Sequence, residues 1–169
     1  MKYDYNIIKN YSLFDGLTEI EIQKFISLMK FKTVKDKEII MKEGDNGDTI
    51  VLLLSGEVSI TQALTLKNKK SVADNREKIL IRLDANSHPF FGEISLFNEV
   101  DRRTATITAT SECNIAILDD DDIINLCNDD NSVGYKIMKN LAEKLSSNLE
   151  KTNNQVLKLT TVFNLILDN

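Results

Sequence analysis

Residues 90–97 read Phe90-Phe91-Gly92-Glu93-Ile94-Ser95-Leu96-Phe97, and after a short gap the chain continues Arg102-Arg103-Thr104-Ala105-Thr106-Ile107. An extended apolar segment meets a glycine and a carboxylate where one short helix begins, and an arginine arrives just before a strand. Gly92 lets a ligand approach the backbone closely. The amides of Ile94 and Ser95, at a helix start, have no intrahelical acceptor and would face an anion. Arg103 supplies a planar cationic fork matched to phosphate oxygens. Glu93 can accept a hydrogen bond from a ribose hydroxyl, and Thr104 adds a hydroxyl of its own. Phe91 and Ala105 border the two halves and complete the candidate set. The competing reading makes Glu93 and Arg103 an internal ion pair that ties the loop together. Burying both without a ligand is costly, because desolvation can exceed the Coulombic gain, so binding is the stronger expectation.

Outward from this stretch the chain reads as short strands. Val34, Ile39 to Met41, Ile50 to Leu54, Val58 to Ile60, Ile79 to Leu83, Thr104 to Thr110 and Ile115 to Leu118 are rich in β-branched residues. Turn residues separate them at 43–48 and at Ser55-Gly56. The polar stretch Lys67 to Lys78 reads as a mobile hairpin tip or an insertion between two strands. So many short strands on one core predict a sandwich, roll or barrel. Before them, Thr18 and Glu21 form a capping box. Ile22, Phe25, Ile26 and Met29 follow at helical spacing, giving one apolar stripe to bury.

After the strands the pattern turns helical. Asp119 to Asp122 precede Ile123, Ile124, Leu126 and Cys127. Acids at a helix start interact favourably with its dipole, a better account of this run than a metal site. Ser132 is the expected cap of a last helix. Along it Tyr135, Ala142, Leu149, Val156 and Phe163 alternate with Met138, Leu145, Thr152, Leu159 and Ile166 in an unbroken heptad seam. Ile137 and Leu141 form a shorter stripe suited to packing on the strands. The outer seam needs a partner, and a parallel homodimer is the simplest; the alternative is a helix folded back on its own domain.

The totals narrow the function. The chain has 169 residues, 42% hydrophobic and 28% charged, enough for a buried core. No apolar run approaches the roughly 20 residues that span a bilayer, and residues 1–10 lack a signal-peptide core, so a cytoplasmic protein with no membrane partner is expected. Cys113 and Cys127 are the two thiols, read as buried and reduced. The net charge is −5 with no basic cluster, which argues against nucleic-acid binding by this chain alone. The one histidine, His88, reads as a surface-loop residue. No nucleophile–base pair or metal constellation is visible, so neither an enzyme nor a cofactor is expected.

The run from Gly92 to Ala105 resembles the phosphate-binding cassette of the cyclic-nucleotide-binding domain family, F-G-E-[LI]-[AS]-L, a variable gap, then R-[STA]-A. That family includes the bacterial catabolite activator, the regulatory units of protein kinases A and G, and nucleotide-gated channels. The resemblance extends through Phe14-Asp15-Gly16-Leu17, Gly44-Asp45 and Leu54-Ser55-Gly56-Glu57-Val58, covering most of residues 10–150. It implies a mainly β fold with flanking helices: a jelly-roll-like β-roll (double-stranded β-helix) over residues 1–130, and a long C-terminal dimerisation helix over 131–169. It also implies that Glu93 binds the ribose 2′-hydroxyl and Arg103 the exocyclic phosphate oxygens. Gly92, Ile94 and Ser95 would shape the cassette backbone, with Thr104 at a position that varies among relatives. Asn148 lies about where base-contacting polar residues lie on the long helix of the catabolite activator. The implied protein is a non-catalytic sensor of cAMP or cGMP, a homodimer that can address an effector protein; the alternative is a ligand-free dimeric scaffold of the same fold. Two departures stand out. Asp84-Ala85-Asn86-Ser87-His88-Pro89 replaces the usual glycine-containing turn, and a DNA-reading domain is expected to be absent after the long helix.

Overall fold

Ile50-Val51-Leu52-Leu53 is apolar without a break because its strand is buried on both faces. In the computed structural model, which describes residues 5–63, 77–97 and 102–167, eight strands form two antiparallel four-stranded sheets. The strands are β1 (Lys30–Val34), β2 (Ile39–Met41), β3 (Thr49–Ser55), β4 (Glu57–Ala63), β5 (Glu77–Asp84), β6 (Phe90–Phe91), β7 (Thr106–Ala109) and β8 (Cys113–Asp119). One sheet runs β1-β8-β3-β6 and the other β2-β7-β4-β5. The expected mainly β roll with flanking helices is the observed fold. Most of the expected insertion Lys67 to Lys78 lies outside the described residues; Glu77 and Lys78 open β5.

Successive side chains point to opposite faces of a strand, and this alternation divides the core. Ile50 and Leu52 of β3, Ala116 and Leu118 of β8 and Phe90 of β6 face the helices. Val51, Leu53, Cys113, Ile115 and Phe91 face the roll interior with Val34, Met41, Val58 and Ile107.

The helices are α1 (Tyr5–Ile8), α2 (Glu19–Leu28), α3 (Asp120–Asp129) and α4 (Asn131–Leu167). The capping box of α2 forms as expected: the Glu21 amide donates to Thr18 Oγ1 at 3.3 Å, and the Thr18 amide to Glu21 Oε2 at 2.6 Å. The cap of α4 differs from expectation. Asp130, not Ser132, accepts from the amides of Ser132 and Val133, each at 3.2 Å. One carboxylate can serve both exposed donors, whereas Ser132 already lies inside the helix. Gly134 lets α4 approach α3 closely, since a Cβ there would stand 2.6 Å from the Cys127 carbonyl oxygen. Cys113 and Cys127 are both buried and free.

The first turns of α4 pack and the later ones do not. Val133, Gly134, Ile137, Asn140 and Leu141 are buried, which includes the expected shorter stripe. Asn140 donates to the carbonyls of Leu13 at 3.0 Å and Asp15 at 2.9 Å, tying the helix to the 3-10 turn Ser12–Phe14. Beyond Asn148 the 37-residue helix continues with its seam residues Leu149, Val156, Leu159, Phe163 and Ile166 exposed. It does not fold back on the roll: the helix is continuous to Leu167 and its seam residues beyond Asn148 stay exposed. Among the described residues no helix is long and apolar enough to cross a membrane.

Candidate ligand-binding site

A cavity of about 670 Å³ lies between the open face of the roll, the turn after β6, and α4. Phe91, Gly92, Glu93, Ile94, Ser95, Arg103, Thr104, Ala105 and Asn148 all line it. Its floor is apolar, with Met41, Ile60, Leu83 and Ile107 contributed by four different strands. These strand residues were not singled out from the sequence, because only sheet pairing brings them together.

Gly92 has φ +93°, and a Cβ there would lie 2.4 Å from the Thr49 carbonyl oxygen and 2.6 Å from Arg103 Nη1. The backbone is thus pressed against both β3 and the arginine. Glu93 and Ser95 are buried while Ile94 is exposed. The structure corrects the expectation of a free Ser95 amide, which donates to the Gly92 carbonyl at 3.2 Å. The tight turn from Gly92 directs that amide inward.

Arg103 Nη2 donates to the Thr49 carbonyl at 3.0 Å and to Thr49 Oγ1 at 2.8 Å; Nη1 donates to Ser95 Oγ at 3.3 Å. Its guanidinium lies against Gly47, where a Cβ would stand 2.2 Å from Nε. The Arg103 amide donates to the Asp45 carbonyl, and its own carbonyl accepts from Gly44. Burial pulls the guanidinium below its ordinary value, while the Asp120 and Asp48 carboxylates oppose that shift. Ser95 Oγ lies 3.1 Å from Asp120 Oδ2, which links the cavity wall to the start of α3.

Glu93 does not pair with Arg103 among the described residues. Its ionic partner is Lys144 of α4, with Nζ at 3.5 Å from Oε2. Lys144 also donates to the Phe90 carbonyl and sits 3.2 Å above the centre of the Phe90 ring. Burial lowers the ammonium's proton affinity, and the Glu93 charge partly restores it. Sequence reasoning missed Lys144. The signal was there in spacing: it follows Ile137, Asn140 and Leu141 on the packed face of α4.

His88 lies in a loop as expected, but half-buried rather than fully at the surface. Its left-handed backbone, φ +48°, ends the 3-10 turn Ala85–Ser87. Its ring meets Tyr11 edge-on at 5.4 Å, and the residue lines the cavity. The unusual turn at 84–89 therefore forms one wall. The acidic run begins α3, with Asp119 paired to Lys30. Among the described residues no group of three His, Cys, Asp or Glu side chains could hold a metal ion.

A cationic fork, a buried carboxylate and an apolar floor suit a small molecule with an anionic group, a hydroxyl and a flat apolar part. Residues 31–130 match the family described as "Cyclic nucleotide-binding domain". The cAMP-activated global transcriptional regulator CRP of Pasteurella multocida is 29% identical over 138 residues, 82% of this chain and 59% of that protein. The cGMP-dependent protein kinase, isozyme 1, of Drosophila melanogaster is 32% identical over 106 residues, 63% of this chain and 13% of that protein. The chain thus spans less than two thirds of the length of these relatives. The catabolite activator protein of Thermus thermophilus superposes with a TM-score of 0.73 at 23% identity, covering 88% of this chain and 63% of that one. At that identity the likeness speaks to the fold.

Proposed function

The chain belongs to the cyclic nucleotide-binding domain family, and from that premise we propose that it is a non-catalytic sensor that binds cAMP or cGMP beneath α4 and signals through that helix. The observation that carries this reading is the convergence of all nine candidate residues, from separate segments, on one cavity. Arg103 meets the cyclic phosphate, Glu93 the ribose 2′-hydroxyl, and Asn148 the base; Thr104 offers its hydroxyl at the mouth. Residues 1–130 hold the ligand and 131–169 supply the lid and seam. Occupancy shifts α4 between two positions by the ligand's differential affinity for them. The reading places the protein in the cytoplasm, with a protein effector rather than nucleic acid or membrane downstream.

A thermal-shift series with cAMP and cGMP tests it. At about 100 times the dissociation constant a specific ligand adds about 2.7 kcal/mol, a rise of about 5–11 °C for a chain of this size. One observation favours a second reading, a ligand-free dimeric scaffold. Glu93 pairs with Lys144, and Arg103 donates to Thr49 and Ser95, so both side chains find partners within the chain itself. No shift with either nucleotide selects the scaffold.

Both readings include a homodimer through the exposed seam. Leu159 and Phe163 are 70% and 60% exposed, which is unfavourable for large apolar side chains one turn apart. Replacing both by glutamate is expected to convert a dimer into a monomer in sedimentation equilibrium. An unchanged mass would remove the seam from the proposal.

A further inference from the structure

We infer that Asp120, the first residue of α3, is a positioning residue for Arg103: its carboxylate acts through the Ser95 hydroxyl to fix the guanidinium in the cavity wall. The inference rests on the nucleotide reading above only for the anion that Arg103 meets.

Four consecutive acids, Asp119 to Asp122, stand at the start of α3, where any of them suits the helix dipole. Their side chains do different things. Asp119 pairs with Lys30, and Asp121 is exposed. Asp120 instead reaches the turn after β6, with Oδ2 at 3.1 Å from Ser95 Oγ. A hydroxyl has one proton and two lone pairs. Ser95 Oγ accepts from Arg103 Nη1 at 3.3 Å and faces two acceptors, the Gly92 carbonyl at 2.7 Å and Asp120 Oδ2. The proton therefore points away from the guanidinium and a lone pair points toward it. A carboxylate is the stronger of the two acceptors; by drawing the proton it makes Oγ a better acceptor for Arg103. Thr49 holds the other side of the fork, its carbonyl and Oγ1 both accepting from Nη2. The two holds share one frame, because the Asp120 amide donates at 2.8 Å to the carbonyl of Asp48, the residue before Thr49. Ser95 is buried, so the relay works away from bulk water. Burial lowers the guanidinium's proton affinity, and Asp120 is the larger of the two charges that oppose this. Three of the five N–H donors of Arg103 are committed by these contacts, which sets the direction of the remaining two.

The test uses the full chain and two readouts. NMR of the guanidinium nitrogens, without added nucleotide, measures rotation about the Arg103 Nε–Cζ bond. Asp120→Ala and Ser95→Ala are each expected to speed it several-fold. Asp120→Asn keeps an oxygen acceptor and should restore most of the restraint. Asp121→Asn, the same charge change one residue on, should match wild type. Asp120→Ala should add little to Ser95→Ala, because the relay is already cut. Ser95→Ala leaves α3 untouched, so it reads the restraint even if Asp120→Ala does not fold. In calorimetric titration with cAMP and with cGMP, Asp120→Ala is expected to bind about fivefold more weakly, the worth of one ordinary hydrogen bond. Unchanged rotation in both alanine variants overturns the positioning, and additive changes in the double variant overturn the route through Ser95. Equal or tighter binding by Asp120→Ala, in a wild type that binds, overturns the role in anion recognition. A wild type that binds neither nucleotide overturns the nucleotide reading, and the rotation measurements still decide whether Asp120 positions Arg103.

Discussion

Replacing Arg103 by alanine is expected to weaken cyclic-nucleotide binding by about 2–5 kcal/mol, roughly 30-fold to several-thousand-fold. The magnitude follows from where the guanidinium sits. It is half-buried, backed by Gly47 and Gly92, and held by Thr49 and Ser95 at one wall of the cavity. A phosphate meeting it there would be paired out of bulk water, where the contact is strong and its loss leaves the phosphate uncompensated. Arg103→Lys should fall between wild type and alanine, because an ammonium keeps the charge but not the fork. Arginine also holds the wall, so melting temperatures are needed beside the titrations. Thr49→Val supplies the control: it removes the Oγ1 bond to the guanidinium without touching the charge, and should leave affinity within a few-fold of wild type. Equal affinities of wild type and Arg103→Ala would remove the guanidinium from the ligand site.

Gly92→Val is expected to cost roughly 2–6 kcal/mol of folding stability and to abolish binding at the same time. Two effects add. A branched residue at φ +93° is strained by about 1–3 kcal/mol. Its Cβ would also meet backbone, the Thr49 carbonyl oxygen at 2.4 Å, which cannot move aside as a flexible side chain can; overpacking of this kind costs about 1–3 kcal/mol. Relief requires β6 to part from β3, and that carries Glu93 and Ser95 away from Arg103. Gly44 separates the two effects. It has φ +84° with nothing within 4 Å of the added Cβ, so Gly44→Val should show the strain without the collision. Urea denaturation of both variants gives the comparison. A Gly92→Val midpoint no lower than that of Gly44→Val would mean that the turn is not pressed against β3.

Much of the fold was legible because its signals are local. The capping residues of α2 lie three apart and form the expected pair of bonds. The strand segments show in runs of β-branched residues, and the strand buried on both faces shows as an unbroken apolar run. The candidate residues could be named as a set because the cassette is contiguous apart from its gap and the family resemblance added Asn148; all of them line one cavity. The internal wiring of the site was not legible. Ser95 looked free as an anion donor, but the turn directs its amide to Gly92. His88 is the loop residue it looked like, but its left-handed backbone accompanies an edge-on contact of its ring with Tyr11 that nothing local announces.

By itself the sequence determined the periods, the capping box of α2, the glycine turn and the exposed heptad seam, because each depends on residues within one or two turns of one another. Tertiary structure alone decided who meets whom across the cavity. Arg103 bonds Thr49, 54 positions away, and Lys144 reaches the Phe90 carbonyl, again 54 positions away, and through the same approach Glu93. Such pairings are set by strand register and by the angle at which a helix crosses a sheet. Both emerge from packing the whole core, and no short stretch of residues contains them.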